Sequence, residues 1–335
     1  MTKNKRKKRS KKIFIAILMI LFSGVVLTAS TYAWFTANKT VTVEQIEVNV
    51  AASNGLQISV DATNWKTLIS NADIQGAGGT YTGAVNQLPT TSIVPTSSIG
   101  EIDTTTGFMK MFKGDIVSNA SGTNILKAER STETHSTTTG DFIAFDLFFQ
   151  VTEDTPVYLT SASKVIKVGD GESKGIENAA RVAFVEQGNA AAGTAVGTVQ
   201  GLKSDGTKPS IIWEPNTDVH KPAAVVAALS TYGITTTETG AARINYNGVK
   251  ALIPEDANIP LNSTNEKYFS AVTPALTSVA AGIPESAYLQ LFTLKAGTTK
   301  VRIYMWVEGQ DVDCENNASG SSLAYNLQFS VLNKA

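Results

Sequence analysis

Side chains alternate with a period of two over the last third of the chain, a period that suits strands and not helices. Val301, Ile303, Met305 and Val307 share one face of residues 300–308, opposite Arg302, Tyr304, Trp306 and Glu308. Leu323, Tyr325, Leu327, Phe329 and Val331 repeat the pattern, and a shorter alternation runs from Tyr288 to Lys295. Upstream, Ile143, Phe145, Leu147, Phe149 and Val151 alternate while Phe142, Ala144 and Phe148 make the opposite face apolar as well. A strand apolar on both faces belongs at the centre of a covered sheet. Val157-Tyr158-Leu159, residues 180–186 and Ile211-Ile212-Trp213 continue the set.

Near the start, Thr40 to Val50 alternates β-branched with polar residues, and its phase slips between Val43 and Ile46. Such a slip marks a bulge or a change of partner. Leu56, Ile58 and Val60 resume after Ser53-Asn54-Gly55. Residues 72–106, 108–139 and 235–277 lack sustained periodicity and read as loops, with one helical turn near Asn124–Lys127. One helix is expected at Ala223–Leu229, between Pro222 and Gly233. The sum is an all-β chain with minor α content: a jelly-roll-like β-sandwich with large loop insertions and one short helix.

Before this domain lie eight cationic side chains between Lys3 and Lys12, an apolar run from Ile13 to Leu27, and small residues leading to Tyr32-Ala33-Trp34-Phe35. That is the layout of a secretory signal. Cleavage is expected between Ala33 and Trp34, giving residues 1–33 as signal peptide and 34–335 as secreted domain. The alternative is an uncleaved membrane anchor, but the core before Thr28 falls short of the roughly 20 residues a span needs. The leader is the only contact with membrane that the sequence suggests.

Of 28 basic residues eight sit in the leader, so 20 remain against 29 acidic ones, a charge near −9. An acidic product argues against nucleic acid as a partner. Cys314 is the only cysteine, so no internal disulfide can form. His135 and His220 lie in loop-like sequence with no nucleophile motif beside them, and they read as solvated; no enzyme is expected and no cofactor is required. Glu308, Asp311, Asp313 and Glu315 crowd the connection between two strands. They either face water or converge on calcium, which takes six to eight oxygen ligands.

Thr31-Tyr32-Ala33-Trp34-Phe35-Thr36 abutting a strand resembles the processing region of TasA/camelysin-type proteins, substrates of a dedicated SipW-like signal peptidase. The resemblance covers residues 13–60, and the first-strand motif of the family is replaced by Ala52-Ser53-Asn54-Gly55-Leu56. It implies a jelly-roll subunit of extracellular biofilm-matrix fibres on a Gram-positive-type cell surface. It further implies self-assembly by insertion of the N-terminal strand, residues 34–50, into the next subunit. Val41, Val43, Ile46, Val48 and Val50 would be the inserted side chains. The alternative is a monomeric adhesin or carbohydrate-binding sandwich that uses Trp65, Trp213 and Trp306. A secreted hydrolase is the third class.

Overall fold

The computed structural model describes residues 40–51, 55–89, 92–134, 136, 139–170, 172–215, 220–226, 246–261, 263–276, 288–315 and 318–331. The leader, the Ala33–Trp34 bond and His135 lie outside the described residues.

Two six-stranded sheets face each other. The first holds β1 (Thr42–Val50), β3 (Leu68–Ser70), β10 (Thr155–Leu159), β11 (Lys164–Val168), β17 (Leu289–Leu294) and β19 (Ser322–Ser330). The second holds β2 (Gln57–Ser59), β9 (Ile143–Val151), β12 (Ala180–Ala190), β13 (Ile211–Glu214), β16 (Ala275–Leu276) and β18 (Gly297–Val307). Inward residues of both sheets make one core, with Phe145, Phe149, Phe184 and Ile303 against Val48, Leu327 and Phe329. Phe149 and Phe329 meet edge to face at 5.1 Å between ring centroids.

The centre of the second sheet bears out the two-faced reading of residues 142–151. β18 lies between β12 and β9 and is buried along its whole length. Its start depends on Gly297, at φ +113°, where a Cβ would fall 2.2 Å from the Ala190 carbonyl oxygen. Only glycine permits that approach at that dihedral.

The stretches expected as loops are more ordered than their sequence suggested. Residues 108–139 contain the hairpin of β7 (Met111–Ser118) and β8 (Asn124–Ser131), so the helical turn expected near Asn124 is a strand. β4 (Thr96–Ser97) adds to β7, β5 (Ile102–Asp103) pairs with β6 (Phe108–Met109), and β14 (Tyr246–Val249) pairs with β15 (Phe269–Val272). These pieces cover the outer face of the second sheet: Met109, Met111, Tyr246 and Val272 pack on Phe142, Ala183, Tyr304 and Trp306. The alternation of β7 and β8 is broken by Lys113-Gly114-Asp115 and Lys127-Ala128-Glu129-Arg130, which hid them. Their partners stabilise them instead.

The expectation of a single helix also needs correction. Among the described residues, besides helical residues 222–226, which overlap the expected segment, there are α1 (Asn71–Ala77), α2 (Val196–Gln200) and a 3-10 turn at Glu255–Ala257. α1 begins at a capping box, in which the Ser70 hydroxyl accepts from the Asp73 N–H and the Asp73 carboxylate accepts from the Ser70 N–H.

Candidate functional site

β1, the strand expected to pass between subunits, lies inside its own domain. β1 runs parallel to β19, from Thr42 opposite Ser322 to Val50 opposite Phe329, with a register shift between Val43 and Gln45. The phase slip in the sequence is therefore a bulge. Asn71, at the start of α1, serves it: its Oδ1 accepts from the Ile46 N–H at 2.7 Å and its Nδ2 donates to the Glu44 carbonyl at 3.2 Å. Val41, Val43, Ile46 and Val48 are buried and Val50 is half-buried. β3 pairs only with Glu47–Asn49. Beside the N-terminal half of β1, a cleft of about 300 Å³ opens against Asn71, Gln75, Leu88, Pro89 and Ile143.

The acidic connection between β18 and β19 is interior, not solvated. Glu308, Asp311, Asp313 and Glu315 are all buried. They do not converge on one point. Asp311 and Asp313 meet His220, the potential ligand atoms of all three lying within 4.8 Å of one another. The Glu308 carboxylate instead accepts from the Trp306 indole N–H at 3.0 Å and the Gln310 N–H at 3.0 Å. Arg181, buried on β12, bridges Asp311 at 2.5 Å and Glu214 of β13 at 3.0 Å. Asp313 accepts from the Lys221 N–H at 3.0 Å and lies 2.7 Å from His220 Nδ1. The solvated-loop reading of His220 fails, because its side chain is only 1% exposed. Its partner lies 93 residues away, which no local pattern announces.

Burial governs the titration of this cluster. It pushes the Glu308 carboxyl up to about 7, against the opposing pull of Ser97, Trp306, Arg181 and the Gln310 N–H. Burial opposes a charged imidazole at His220, yet Asp313 and Asp311 hold its pKa above the usual value. A carboxyl whose pKa is raised on folding contributes stability below its unfolded value and loses it as pH climbs through the folded one. For Glu308 the window runs from 4.5 to about 7 and corresponds to about 3 kcal/mol. Glu308→Gln is expected to flatten the decline in denaturant midpoint between pH 5 and 8. An unchanged decline in the variant would place the titration elsewhere.

A second buried ionic group ties the covering layer to the second sheet. Asp146 of β9 meets Arg302 Nη1 at 2.9 Å, Lys300 Nζ at 3.1 Å and the Tyr81 hydroxyl at 2.7 Å. Burial works against the Asp146 charge, but Arg302 and Lys300 hold its carboxyl below the usual range. The Tyr304 hydroxyl donates to Glu133 at 2.6 Å, and the Arg302 guanidinium stacks 4.3 Å from the Phe108 ring centroid.

Among the tryptophans proposed for glycan stacking, Trp213 and Trp306 are fully buried, and Trp65 packs half-buried against the small cluster around Phe148. A glycan platform needs open aromatic faces, which Trp213 and Trp306 do not offer. Cys314 is buried as well, so a disulfide between folded chains has no exposed thiol to use. The chain finds no match among protein-family models, curated proteins or solved structures, so its geometry and its sequence are what carry a functional reading.

Proposed function

We propose that this protein is a secreted structural subunit of an extracellular, matrix-type fibre, built on a jelly-roll-like sandwich and joined by exchange of β1 between copies. The observation that carries the reading is the place of β1. It is the first strand behind the leader, and it completes the core by lying between β19 and β3. Its far end leads through residues 51–56 to β2, so the whole strand sits on one short connection.

Exchange between copies preserves every contact the strand makes at home. The same ladder to β19 and the same pockets for Val41, Val43, Ile46 and Val48 are filled by a neighbour's strand. Swapping identical elements costs little beyond strain in the hinge, so concentration decides which form prevails. The geometry also suits head-to-tail growth. The entry of β1 lies beside Gly320, whose N–H donates to the Thr40 carbonyl at 2.8 Å. The exit lies by Phe329, whose carbonyl accepts from the Ala51 N–H at 2.8 Å. Nine residues of strand separate these ends, roughly 30 Å at about 3.3 Å per residue.

A reversible lock tests this. Glu47 and Asn326 are directly paired across β1 and β19. The double variant Glu47→Cys, Asn326→Cys should form a disulfide that pins β1 in its own domain. Oxidised protein is expected to stay monomeric in light scattering and electron microscopy, and reduction should restore filaments. Filaments from fully oxidised monomers would end the exchange reading.

A further inference from the structure

The two sheets differ on their outward sides. The second is covered by the layer that holds Met111 of β7 and Tyr246 of β14, whereas the first carries no comparable layer among the described residues. Alternation makes that open face polar. Val48, Leu327 and Val165 point into the core, so their neighbours Glu47, Asn326 and Lys164 point outward. These three form one row across β1, β19 and β11, with Glu47 opposite Asn326 and Asn326 opposite Lys164. The next row holds Gln45, Ala324 and Ile166 in the same order.

Neighbouring strands lie about 4.8 Å apart, which puts the backbones of Glu47 and Lys164 about 10 Å from each other across a neutral strand. Among the described residues neither side chain joins an ion pair. Glu47 accepts long hydrogen bonds from Gln45 Nε2 at 3.5 Å and Asn49 Nδ2 at 3.4 Å, and Lys164 is exposed. The face thus carries an acid on one flank and a base on the other, at the same level along the strands. Beside the base, Ile166 is 43% exposed.

We propose that this face is a two-fold interface between copies of the chain, stacked face to face about an axis that runs along β19. Rotation about that line exchanges the flanks, so Glu47 of each copy meets Lys164 of the other and the ion pair occurs twice. Asn326 then lies over Asn326, where each amide both donates and accepts, and Ala324 lies over Ala324, where small side chains let the faces close. Gln45 of one copy covers Ile166 of the other. Stacked sheets are about 10 Å apart, a gap that extended glutamate and lysine side chains bridge. An axis across the strands would set acid over acid and base over base, and like charges oppose that arrangement. The open face of β3, β1, β19 and β11 spans roughly 19 Å by at most 30 Å, or about 500 Å² from each copy. The sum of about 1,000 Å² lies at the weak end of specific interfaces, so a lone pair is reversible and repetition along a polymer strengthens it. The contact does not depend on exchange of β1.

Sedimentation of freshly isolated monomer of the secreted domain tests the face, since docking of preformed surfaces needs no unfolding and equilibrates ahead of strand exchange. Lys164→Glu and Glu47→Lys should each raise the dissociation constant of the dimer roughly tenfold or more, because two attractive pairs become repulsive. An equimolar mixture of the two variants should associate again, as every acid of one then meets a base of the other. The double variant Glu47→Lys, Lys164→Glu should match the wild type. Should Glu47→Lys fail to fold, Lys164→Gln takes its place, with a dissociation constant between those of the wild type and Lys164→Glu. Wild-type protein that stays monomeric at millimolar concentration would overturn the proposal. So would single variants that associate as tightly as the wild type, which would leave the face to another occupant, or a mixture no tighter than its components. The reversible disulfide lock lacks Glu47 in both redox states, so its outcome bears on exchange alone.

Discussion

Deleting residues 34–50 is expected to unfold the domain, not to release a tidy monomer. This segment contributes Val41 and, from β1, Val43, Ile46 and Val48 to the central core. Four buried aliphatic side chains at roughly 1.5–3 kcal/mol each come to about 6–12 kcal/mol. The whole stability of a domain is about 5–15 kcal/mol. The loss also strips one full side of β19 of its ladder, leaving backbone groups to find new partners. The truncated protein should therefore show little cooperative unfolding by circular dichroism and should aggregate. A synthetic peptide of residues 40–50, added during refolding, should restore a cooperative transition, because the groove it fills is specific in register and in side-chain shape. A truncated protein that melts cooperatively without peptide would show that β1 is dispensable to the fold.

The second large effect is expected at Asp146. Replacing it with Ala leaves Lys300 and Arg302 buried, with Glu133 as the remaining carboxylate near Arg302 among the described residues. Removing one partner of a buried ion pair costs about 3–5 kcal/mol, because the charge left behind has neither water nor counter-ion. Tyr81 also loses its acceptor, so the layer around residues 81–87 should loosen along with the sheet. The contrast is Lys295 with Asp154, an ion pair of 2.6 Å whose side chains are 64% and 52% exposed. Lys295→Ala should leave the urea midpoint close to that of the wild type, because solvent screens an exposed pair. Urea titrations of both variants at pH 7 separate the two cases. Similar midpoints for both would mean that the interior pair is far better hydrated than its burial implies.

Acid should act on these two clusters in opposite directions. Asp146 has a lowered pKa, so its contribution is present above 3.8 and is lost as pH falls through the folded value. Glu308 has a raised one, so its contribution is lost as pH rises from 4.5 to about 7. The contributions of these two groups are jointly greatest in mildly acidic solution.

The strands were legible where their pattern was local. Alternation at residues 143–151, 300–308 and 323–331 identified β9, β18 and β19, and the slip between Val43 and Ile46 marked the bulge in β1. β7 and β8 were missed because charged residues and a glycine interrupt their period, and their order comes from each other and from the sheet they cover. His220 was misread for a related reason. Its loop is polar in sequence, but Asp313 draws its ring into the interior.

From the sequence alone came the β class, the positions of the central strands and the crowding of acids between the last two, since each depends on neighbours within a few residues. The tertiary structure decided that the first and last strands pair in parallel, that the insertions form a third layer, and that those acids are buried against Arg181 and His220. These features join residues far apart in the chain, Arg181 and Asp311 by 130 and His220 and Asp313 by 93. Burial is a property of what packs on a face, and a period of two says only that a face exists.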